Sequence, residues 1–381
     1  MNAVELFAGA GGLGMGVSRA GFRHSAVIEW NADACDTLRE NRRRGIKPVA
    51  DWPDVYQGDA RKFDYGTLGT IDLAAGGPPC QPFSLGGKHG ADKDGRDMWP
   101  EAVRSVRELR PRAFMFENVR GLTRPAFAEY FEHIVLQLSF PDIERRKNEV
   151  WTAHRARLLR HKANKRSDNG LTYRVEAKVL NACDYGVPQR RSRVFLVGFR
   201  SDLDVSWTFP KPTHSQEALQ WEKWGSGDYW DRHRVSKRTR PEKPAGVQVP
   251  LPPTLKAWAT VRDALAGLPA PTVTRNAPGF LNHRLQPGAR SYAGHTGSPL
   301  DEPAKTLKAG DHGVPGGENT LLHPDGSVRY FTVRESARLQ TFPDDYAFEG
   351  AWGEAMRQIG NAVPVGLAQI VAENVHARLI S

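Results

Sequence analysis

The chain of 381 residues is 39% hydrophobic and 25% charged, a composition that is typical of a folded protein and excludes a wholly disordered one. Its formal net charge of +10 favours a polyanionic partner, either nucleic acid or an anionic membrane surface. No run approaches the roughly 18 apolar residues of a membrane span, the first residues lack the features of a signal peptide, and the three cysteines have neither disulfide nor metal-ligand spacing. We therefore expect a cytoplasmic protein with no metal site and no membrane contact.

Strand-like and helix-like segments alternate along the chain. The predicted strands cover 3–7, 27–29, 71–75, 113–117 and 194–198, and the predicted helices cover 32–40 and 98–109. A final helix is expected near the C-terminus, with one apolar face formed by Val365, Ala368, Val371 and Val375. The alternation predicts an α/β fold with a doubly wound, mostly parallel sheet that binds its ligands at the carboxyl ends of the strands.

Two stretches interrupt this alternation. Residues 141–170 are rich in Arg, Lys and His, which predicts either a basic amphipathic hairpin that contacts a nucleic-acid backbone or a helix face that is merely solvated. Residues 204–330 are dense in Pro and Gly and carry clustered aromatic residues beside basic ones, namely Trp221, Trp224, Tyr229 and Trp230. This second stretch predicts a separate, smaller and irregular domain.

A glycine-rich turn at 7–14 follows the first predicted strand. Glycines in such a turn allow the backbone to approach a ligand closely and expose amide groups at a helix N-terminus. A tight corner or a dinucleotide site would use a similar turn. However, Glu29 at the end of the second strand is placed to bind ribose hydroxyls, and Asp59 is placed to bind an adenine amino group. These acids favour a nucleoside cofactor without a pyrophosphate, such as S-adenosylmethionine.

Cys80 lies in the run Gly-Gly-Pro-Pro-Cys-Gln-Pro-Phe-Ser (76–84), where prolines stiffen the turn after a predicted strand. Glu117 ends the next predicted strand, so a parallel sheet is expected to bring Cys80 and Glu117 to the same edge. Arg191 and Arg193 precede the strand at 194–198 and are expected to project to one side. Two guanidinium groups in that position suit a phosphate or a base carbonyl.

This set of groups suits the methylation of carbon 5 of cytosine. That carbon is too weak a nucleophile to accept a methyl group directly, but a thiolate that adds to carbon 6 makes it nucleophilic. A carboxylic acid that protonates N3 removes the charge cost of the addition. The target base has to leave the duplex to reach such a pocket. The sequence therefore predicts Cys80 as a covalent nucleophile and Glu117 as a proton donor.

The sequence strongly resembles the DNA (cytosine-5) methyltransferase family of the bacterial restriction-modification type. The segments that carry the resemblance follow the family's order and are 5–12 (ELFAGAGG), 77–84 (GPPCQPFS), 117–122 (ENVRGL), 185–193 (YGVPQRRSR), 329–343 (RYFTVRESARLQTFP) and 358–364 (QIGNAVP). Any one of them could arise by chance, whereas all of them in the right order are highly specific.

The resemblance implies a role for each site residue. Cys80 is the implied nucleophile and Glu117 the implied N3 proton donor, while Asn118 is a positioning residue, and Arg191 and Arg193 hold the flipped cytosine or its phosphate. The implied contacts of S-adenosylmethionine are Phe7, Ala8, Gly9, Gly11, Gly12, Leu13, Glu29, Trp30, Asp59, Ala60, Pro79, Asn361 and Ala362, with Met98 or Trp99 packed nearby.

The resemblance also implies the domain organisation and the partners. A catalytic, cofactor-binding domain is expected at 1–203 plus 350–381, and a target-recognition domain with its hinge at 204–349. The expected partner is double-stranded DNA, and the expected state is a monomer. A cognate restriction endonuclease fits an enzyme of this type, although a solitary methyltransferase would have the same sequence features.

Three other functions share some of these sequence features. The branch of the family that methylates transfer RNA shares the Pro-Pro-Cys-Gln run but carries a Cys-Phe-Thr tripeptide, which this sequence lacks. A non-catalytic DNA-binding regulator would be expected to lose Cys80, Glu117 or the glycine-rich turn, all of which are present. A nicotinamide-dependent oxidoreductase would explain the glycine-rich turn but neither Cys80 nor the arginine motif.

Overall fold

The computed structural model describes residues 1–79, 97–164, 170–249, 251–291, 296–309 and 319–381. The chain divides into two compact units. The first consists of Met1–Leu180, Ser192–Pro210 and Ala368–Ser381, and the second of Asn181–Arg191 and Lys211–Leu367. Asn181–Arg191 and residues 350–367 thus pack with the second unit, whereas the predicted catalytic domain includes them.

The first unit is built on a seven-stranded sheet. Its strands are β1 (Asn2–Leu6), β2 (Arg23–Glu29), β3 (Tyr56–Gln57), β4 (Leu73–Gly76), β5 (Ala113–Val119), β6 (Tyr173–Asn181) and β7 (Ser192–Arg200). The strand order is β3-β2-β1-β4-β5-β7-β6. Strands β1 to β5 pair in parallel, and β7 runs antiparallel to β5. The predicted α/β fold with a mostly parallel sheet is confirmed.

Helices of the first unit connect and cover these strands. They are α1 (Gly12–Arg19), α2 (Ala32–Arg43), α3 (Trp99–Leu109), α4 (Ala128–Ser139) and α5 (Trp151–Ala163). Helix α2 begins at Asn31, whose side chain accepts from the amide of Ala34 and thereby caps the first turn. Apolar residues of β1, β4 and β5, such as Leu6, Ala74 and Phe114, are completely buried in the core between the sheet and the helices.

The second unit consists of short elements joined by long loops, as the Pro- and Gly-rich composition predicts. Its strands are β8 (His214–Ser215), β9 (Lys256–Ala257), β10 (Ser298–Pro299), β11 (Thr320–Leu322) and β12 (Val328–Tyr330). Its helices are α6 (Gln216–Trp221), α7 (Asp228–Arg232), α8 (Val261–Leu265), α9 (Val333–Leu339) and α10 (Trp352–Asn361). Tyr229, Trp230 and Leu219 form an apolar core here, so the aromatic cluster predicted beside basic residues is largely internal.

The chain ends in α11 (Val365–Ile380), and all residues of its predicted apolar face are 0% exposed, which confirms that prediction. Neither α4 nor β6 is among the predicted elements. In α4, Tyr130, Ile134 and Leu138 follow a helical spacing that indicates the buried face. In β6, residues 174–179 are almost all exposed, so the strand has no apolar pattern. In the described residues, no helix is long and apolar enough to cross a membrane.

Candidate active site

The glycine-rich turn between β1 and α1 has a backbone conformation that favours glycine. Gly9 and Gly11 have φ angles of +53° and +81°, and Phe7 has a φ of +57°. A Cβ on Gly9 would meet nothing within 4 Å, whereas a Cβ on Gly11 would lie 3.0 Å from Leu38. The turn is therefore open at Gly9, where a ligand has access to the backbone, and closely packed at Gly11.

Glu29 ends β2 beside this turn, and backbone amides hold its carboxylate. Oε2 accepts from the amide of Gly9 at 2.7 Å, while Oε1 accepts from the amides of Trp30 and Asn31 at 2.8 and 2.7 Å. A carboxylate offers about four lone-pair sites, so these bonds leave room for one more donor, such as a ribose hydroxyl. The indole of Trp30 is 68% exposed beside it.

Asp59 lies close to the end of β2. The amide of Gly58 donates to the carbonyl of Glu29 at 2.9 Å, which extends the pairing of β2 with β3. The carboxylate of Asp59 lies 2.8 Å from the guanidinium of Arg61, and this hydrogen-bonded partner lowers the pKa of Asp59. Asp59 is therefore ionised at neutral pH, and its carboxylate can accept from an adenine amino group.

The ends of β4 and β5 bring Glu117 next to the segment that leads into Cys80. Gly76 pairs with Phe116 in the parallel ladder. The position of a Cβ on Gly77 lies 3.6 Å from Oε2 of Glu117. This approach is the convergence of parallel strand ends that the sequence predicts. Cys80 itself lies outside the described residues.

Hydrogen bonds fix the backbone on both sides of residues 80–96. The side-chain amide of Asn118 donates to the carbonyl of Pro78 at 2.9 Å. The carbonyl of Pro79 accepts from the amide of Met98 at 3.2 Å. Asn118 thus contacts the turn that leads into Cys80, a position that fits a positioning residue.

Arg193 lies on β7 and forms an ion pair with Glu117. Its Nε is 2.8 Å from Oε1 of Glu117, and the two side chains are only 12% and 8% exposed. Burial lowers the pKa of Arg193, and the carboxylate of Glu117 opposes that shift. Arginine stays charged in proteins, so Glu117 faces a fixed positive charge. The pair holds the Glu117 carboxylate in one orientation at the strand end.

Arg191 occupies a different environment from Arg193. It precedes β7, is 0% exposed and belongs to the second unit. Its guanidinium donates to the carbonyls of Leu307, Gly360 and Ala362 at 3.0, 2.7 and 2.8 Å. These contacts hold the segment that carries Asn361 and Ala362, and they leave no exposed surface of Arg191 for the predicted contact with cytosine or phosphate.

Two buried glutamines extend this hydrogen-bond network. The sequence predicts no role for either of them. Gln340 donates through Nε2 to the carbonyls of Ile359 and Ala362 at 2.7 and 3.1 Å, and Gln189 donates to Oε1 of Gln340 at 3.1 Å. Both glutamines are 0% exposed. Their place inside the segments 185–193 and 329–343, which carry the family resemblance, is the sequence signal for this role.

The two cysteines that the structure describes are unsuited to nucleophilic attack. Cys35 and Cys183 are completely buried. Burial raises the pKa of each thiol to about 12, so both remain protonated at neutral pH. Since the chain has three cysteines, the only one left for thiolate chemistry is Cys80.

The other predicted cofactor contacts fall into two groups. Ala8, Gly12, Leu13 and Ala60 are buried around the glycine-rich turn and the start of α1 or just after Asp59, where they pack in the first unit. Asn361 and Ala362 lie at the end of α10 in the second unit. The candidate site in the first unit thus comprises the turn, Glu29, Trp30 and Asp59, together with Glu117, Asn118 and Arg193.

The glycine-rich turn after β1, Glu117 and Asn118 near the end of β5, and Arg193 at the start of β7 lie on one mostly parallel sheet, an arrangement that fits an α/β methyltransferase. The family described as C-5 cytosine-specific DNA methylase matches residues 1–142 and 148–377. The chain belongs to this family, and it is a DNA cytosine-5-methyltransferase.

Curated relatives span nearly the whole chain. The type II methyltransferase M.NgoMIV of Neisseria gonorrhoeae is 32% identical over 376 residues, which cover 98% of this chain and 96% of the relative. The type II methyltransferase M.Eco47II of Escherichia coli is 31% identical over 388 residues, which cover 98% of this chain and 78% of the relative. Both similarities extend through the first and the second unit.

Solved structures share the fold. A protein described as a DNA modification methyltransferase encoded within an E. coli prophage superposes with a TM-score of 0.60 at 20% identity, with 100% of both chains covered. The Dnmt2 methyltransferase of S. pombe superposes with a TM-score of 0.52 at 16% identity, with 100% of this chain and 98% of that chain covered. At these identities the likeness concerns the fold alone.

Proposed function

We propose that this enzyme methylates carbon 5 of a cytosine that is flipped out of a specific duplex DNA sequence, through a covalent bond between Cys80 and carbon 6. The observation that supports this most directly is the position of Glu117. Its carboxylate, oriented by Arg193 at 2.8 Å, lies beside the strand end that leads into Cys80. Cys80 follows that strand end in the sequence, so a carboxylic acid and a thiol can act on N3 and carbon 6, which lie across one pyrimidine ring from each other.

The proposed reaction consists of thiolate addition, methyl transfer and elimination of the thiolate. The thiolate of Cys80 adds to carbon 6, and Glu117 delivers a proton to N3, so the ring becomes a neutral enamine with a nucleophilic carbon 5. Carbon 5 then takes the methyl group from a sulfonium donor, which would leave as a neutral thioether. Loss of the carbon 5 proton to a base, and return of the N3 proton, restore the aromatic ring and expel the thiolate. Asn118 keeps the turn before Cys80 in place through its bond to Pro78.

The residues around the glycine-rich turn fit S-adenosylmethionine, which supplies an electrophilic methyl group when bound. The open backbone at Gly9 and the remaining acceptor capacity of Glu29 suit a ribose. The ionised Asp59 suits the adenine amino group, and the exposed indole of Trp30 suits its ring face. Asn361 and Ala362 remain proposed contacts.

The two arginines take different roles in this proposal. Arg193 orients Glu117 and remains the candidate for contact with the flipped cytosine or its phosphate. Arg191 acts by holding the backbone of residues 360–362 through carbonyl groups. A direct contact of Arg191 with DNA is therefore no longer part of the proposed mechanism.

We further propose double-stranded DNA as the partner, a monomeric and cytoplasmic enzyme, and a role in protecting host DNA within a restriction-modification system. The type II relatives support this setting. Residues 204–349 are the proposed target-recognition region.

The test is covalent trapping on a duplex that contains 5-fluorocytosine at the target. Because fluorine cannot leave as a proton does, the enzyme should remain bonded to DNA in a complex that depends on S-adenosylmethionine and survives denaturation. The variant Cys80→Ser should form no complex, whereas Cys35→Ala, which removes a buried thiol, should still be trapped. Equal trapping of Cys80→Ser and the unaltered enzyme would refute the role of Cys80.

A further inference from the structure

A chain of hydrogen bonds runs beneath the glycine-rich turn through residues outside the proposed site. Glu5 on β1 is 0% exposed, and its Oε2 lies 3.1 Å from Nε2 of His24 on β2. Nδ1 of His24 lies 3.0 Å from the hydroxyl of Ser18 on α1. The indole N–H of Trp52 donates to the same hydroxyl oxygen at 2.8 Å. The chain therefore joins β1, β2, α1 and the segment around Trp52.

The donors in this chain point one way. An indole N–H can only donate, so Trp52 occupies one lone pair of the Ser18 oxygen and leaves the hydroxyl proton available for Nδ1 of His24. Nε2 of His24 then carries the proton that is donated to Glu5. Each donor has an acceptor, and the chain ends on a carboxylate that would be costly to bury without a partner.

The same groups contact the backbone of the turn and of α1. A Cβ on Gly14 would lie 2.5 Å from Oε2 of Glu5 and 2.7 Å from the Trp52 ring. A Cβ on Gly11 would lie 3.2 Å from the same ring. The helix start thus packs closely against the carboxylate and the indole, so a shift of either group toward it would displace the turn.

This chain of hydrogen bonds also connects β2 with α1, the two elements beside the proposed cofactor site. His24 belongs to β2, which ends at Glu29, and Ser18 belongs to α1, which the turn introduces. Glu29 in turn accepts from the amide of Gly9. The bonds between His24 and Ser18 therefore fix α1 relative to the strand that carries the ribose acceptor.

We propose that Glu5, His24, Ser18 and Trp52 are positioning residues that hold the glycine-rich turn in its cofactor-binding geometry without touching the cofactor. This inference rests on the proposed S-adenosylmethionine site. A preformed turn lowers the ordering cost of binding, so loss of the chain should weaken cofactor affinity more than it slows methyl transfer at saturating cofactor.

The first test compares Ser18→Ala with Ser105→Ala. Ser105 on α3 is a buried serine of the same unit whose hydroxyl donates only within its own helix, to the carbonyl of Ala102 at 2.7 Å. We expect Ser18→Ala to raise the Kd for S-adenosylmethionine, measured by calorimetry, by about 3- to 10-fold. Its kcat at saturating cofactor should stay within about twofold of the unaltered enzyme. Ser105→Ala should leave the Kd unchanged, although both changes lower Tm.

A double-mutant cycle with Trp52→Phe tests the hydrogen-bond chain itself. This variant removes the indole N–H together with the ring atoms Cη2 and Cζ3 that face Gly11 and Gly14. Because the indole N–H acts through Ser18, the loss of cofactor affinity in the double variant should be clearly smaller than the sum of the two single losses. Fully additive losses would overturn the proposal, as would equal Kd values for Ser18→Ala and Ser105→Ala. If Ser18→Ala does not fold, Trp52→Phe alone must still raise the Kd. Failure of the unaltered enzyme to bind S-adenosylmethionine would instead overturn the proposed cofactor.

Discussion

Glu117 and Arg193 form an ion pair that is almost closed to solvent. A buried pair contributes little net stability because both charges lose hydration, but removal of one partner leaves the other charge uncompensated. In the proposed mechanism the pair matters for its geometry, since it orients the carboxylate that would deliver a proton to N3. The same arrangement makes the site sensitive to substitution.

The substitution Glu117→Gln should therefore have two effects. Loss of a positioned proton donor should lower kcat by about 10²- to 10⁴-fold in a methyl-transfer assay. The unpaired Arg193 should lower the free energy of unfolding by about 3 kcal/mol in urea titrations. Glu40→Gln, which breaks an exposed pair with Arg43, serves as the control and should change neither quantity appreciably. Full activity of Glu117→Gln would contradict the proposed proton transfer.

The orientations of Arg191 and Arg193 are only partly predictable from the sequence. Strand alternation predicts that Arg191 and Arg193 face the same side, but β7 begins only at Ser192. Arg191 therefore lies before the strand and turns toward the carbonyls of Leu307 and Gly360. The start of a strand depends on its pairing partner, which a single sequence does not reveal.

At the scale of elements, α4 and α5 are joined by a buried pair of histidines. Nε2 of His154 donates to the carbonyl of Ile143 at 2.8 Å, so its Nδ1 accepts from Nε2 of His133 at 3.1 Å. Burial, together with the neighbouring His154, lowers the pKa of His133 to about 3. Both rings are therefore neutral in the folded protein at physiological pH.

This pair predicts acid sensitivity. Below pH 6.5, the ordinary pKa, the unfolded chain binds a proton at His133 that the folded chain accepts only near pH 3. The unfolded state thus holds more protons, and the free energy of unfolding should fall as the pH drops through this window. Urea titrations at pH 7.5 and 5 should show a smaller drop for His133→Gln than for the unaltered protein. His161→Gln on α5 is the control. If this variant showed an equally small drop in the free energy of unfolding, the assignment of acid sensitivity to His133 would be refuted.

Buried elements are predicted well, and exposed or locally polar ones are not. The strands β1, β4 and β5 and the face of α11 are recognisable because burial imposes an apolar pattern. The edge strand β6 lacks that pattern because residues 174–179 face solvent. Conversely, the sequence around Tyr229 and Trp230, with arginines beside them, is typical of a ligand-binding surface. In the structure both side chains form a core, in which the Tyr229 hydroxyl is hydrogen-bonded to Thr260 and Asp301.

At the scale of the whole molecule, the net charge of +10 does not by itself locate a DNA surface. Within the stretch 141–170, Arg155 and Arg157 pair with Glu132 and Glu149. The partner carboxylates largely neutralise the charges of these two arginines. This supports the interpretation that they belong to a solvated helix face. Contact of this stretch with DNA stays a prediction.

The central claim is that the intact chain methylates carbon 5 of cytosine in a particular DNA sequence, with Cys80 as nucleophile. Bisulfite sequencing of DNA from a methylation-free host that expresses the protein tests it most directly. We expect protected cytosines at one recurrent sequence, and none in a host that expresses Cys80→Ser. Fully converted DNA from cells that contain the folded, unaltered protein would contradict the account, and so would the same protected sites with Cys80→Ser.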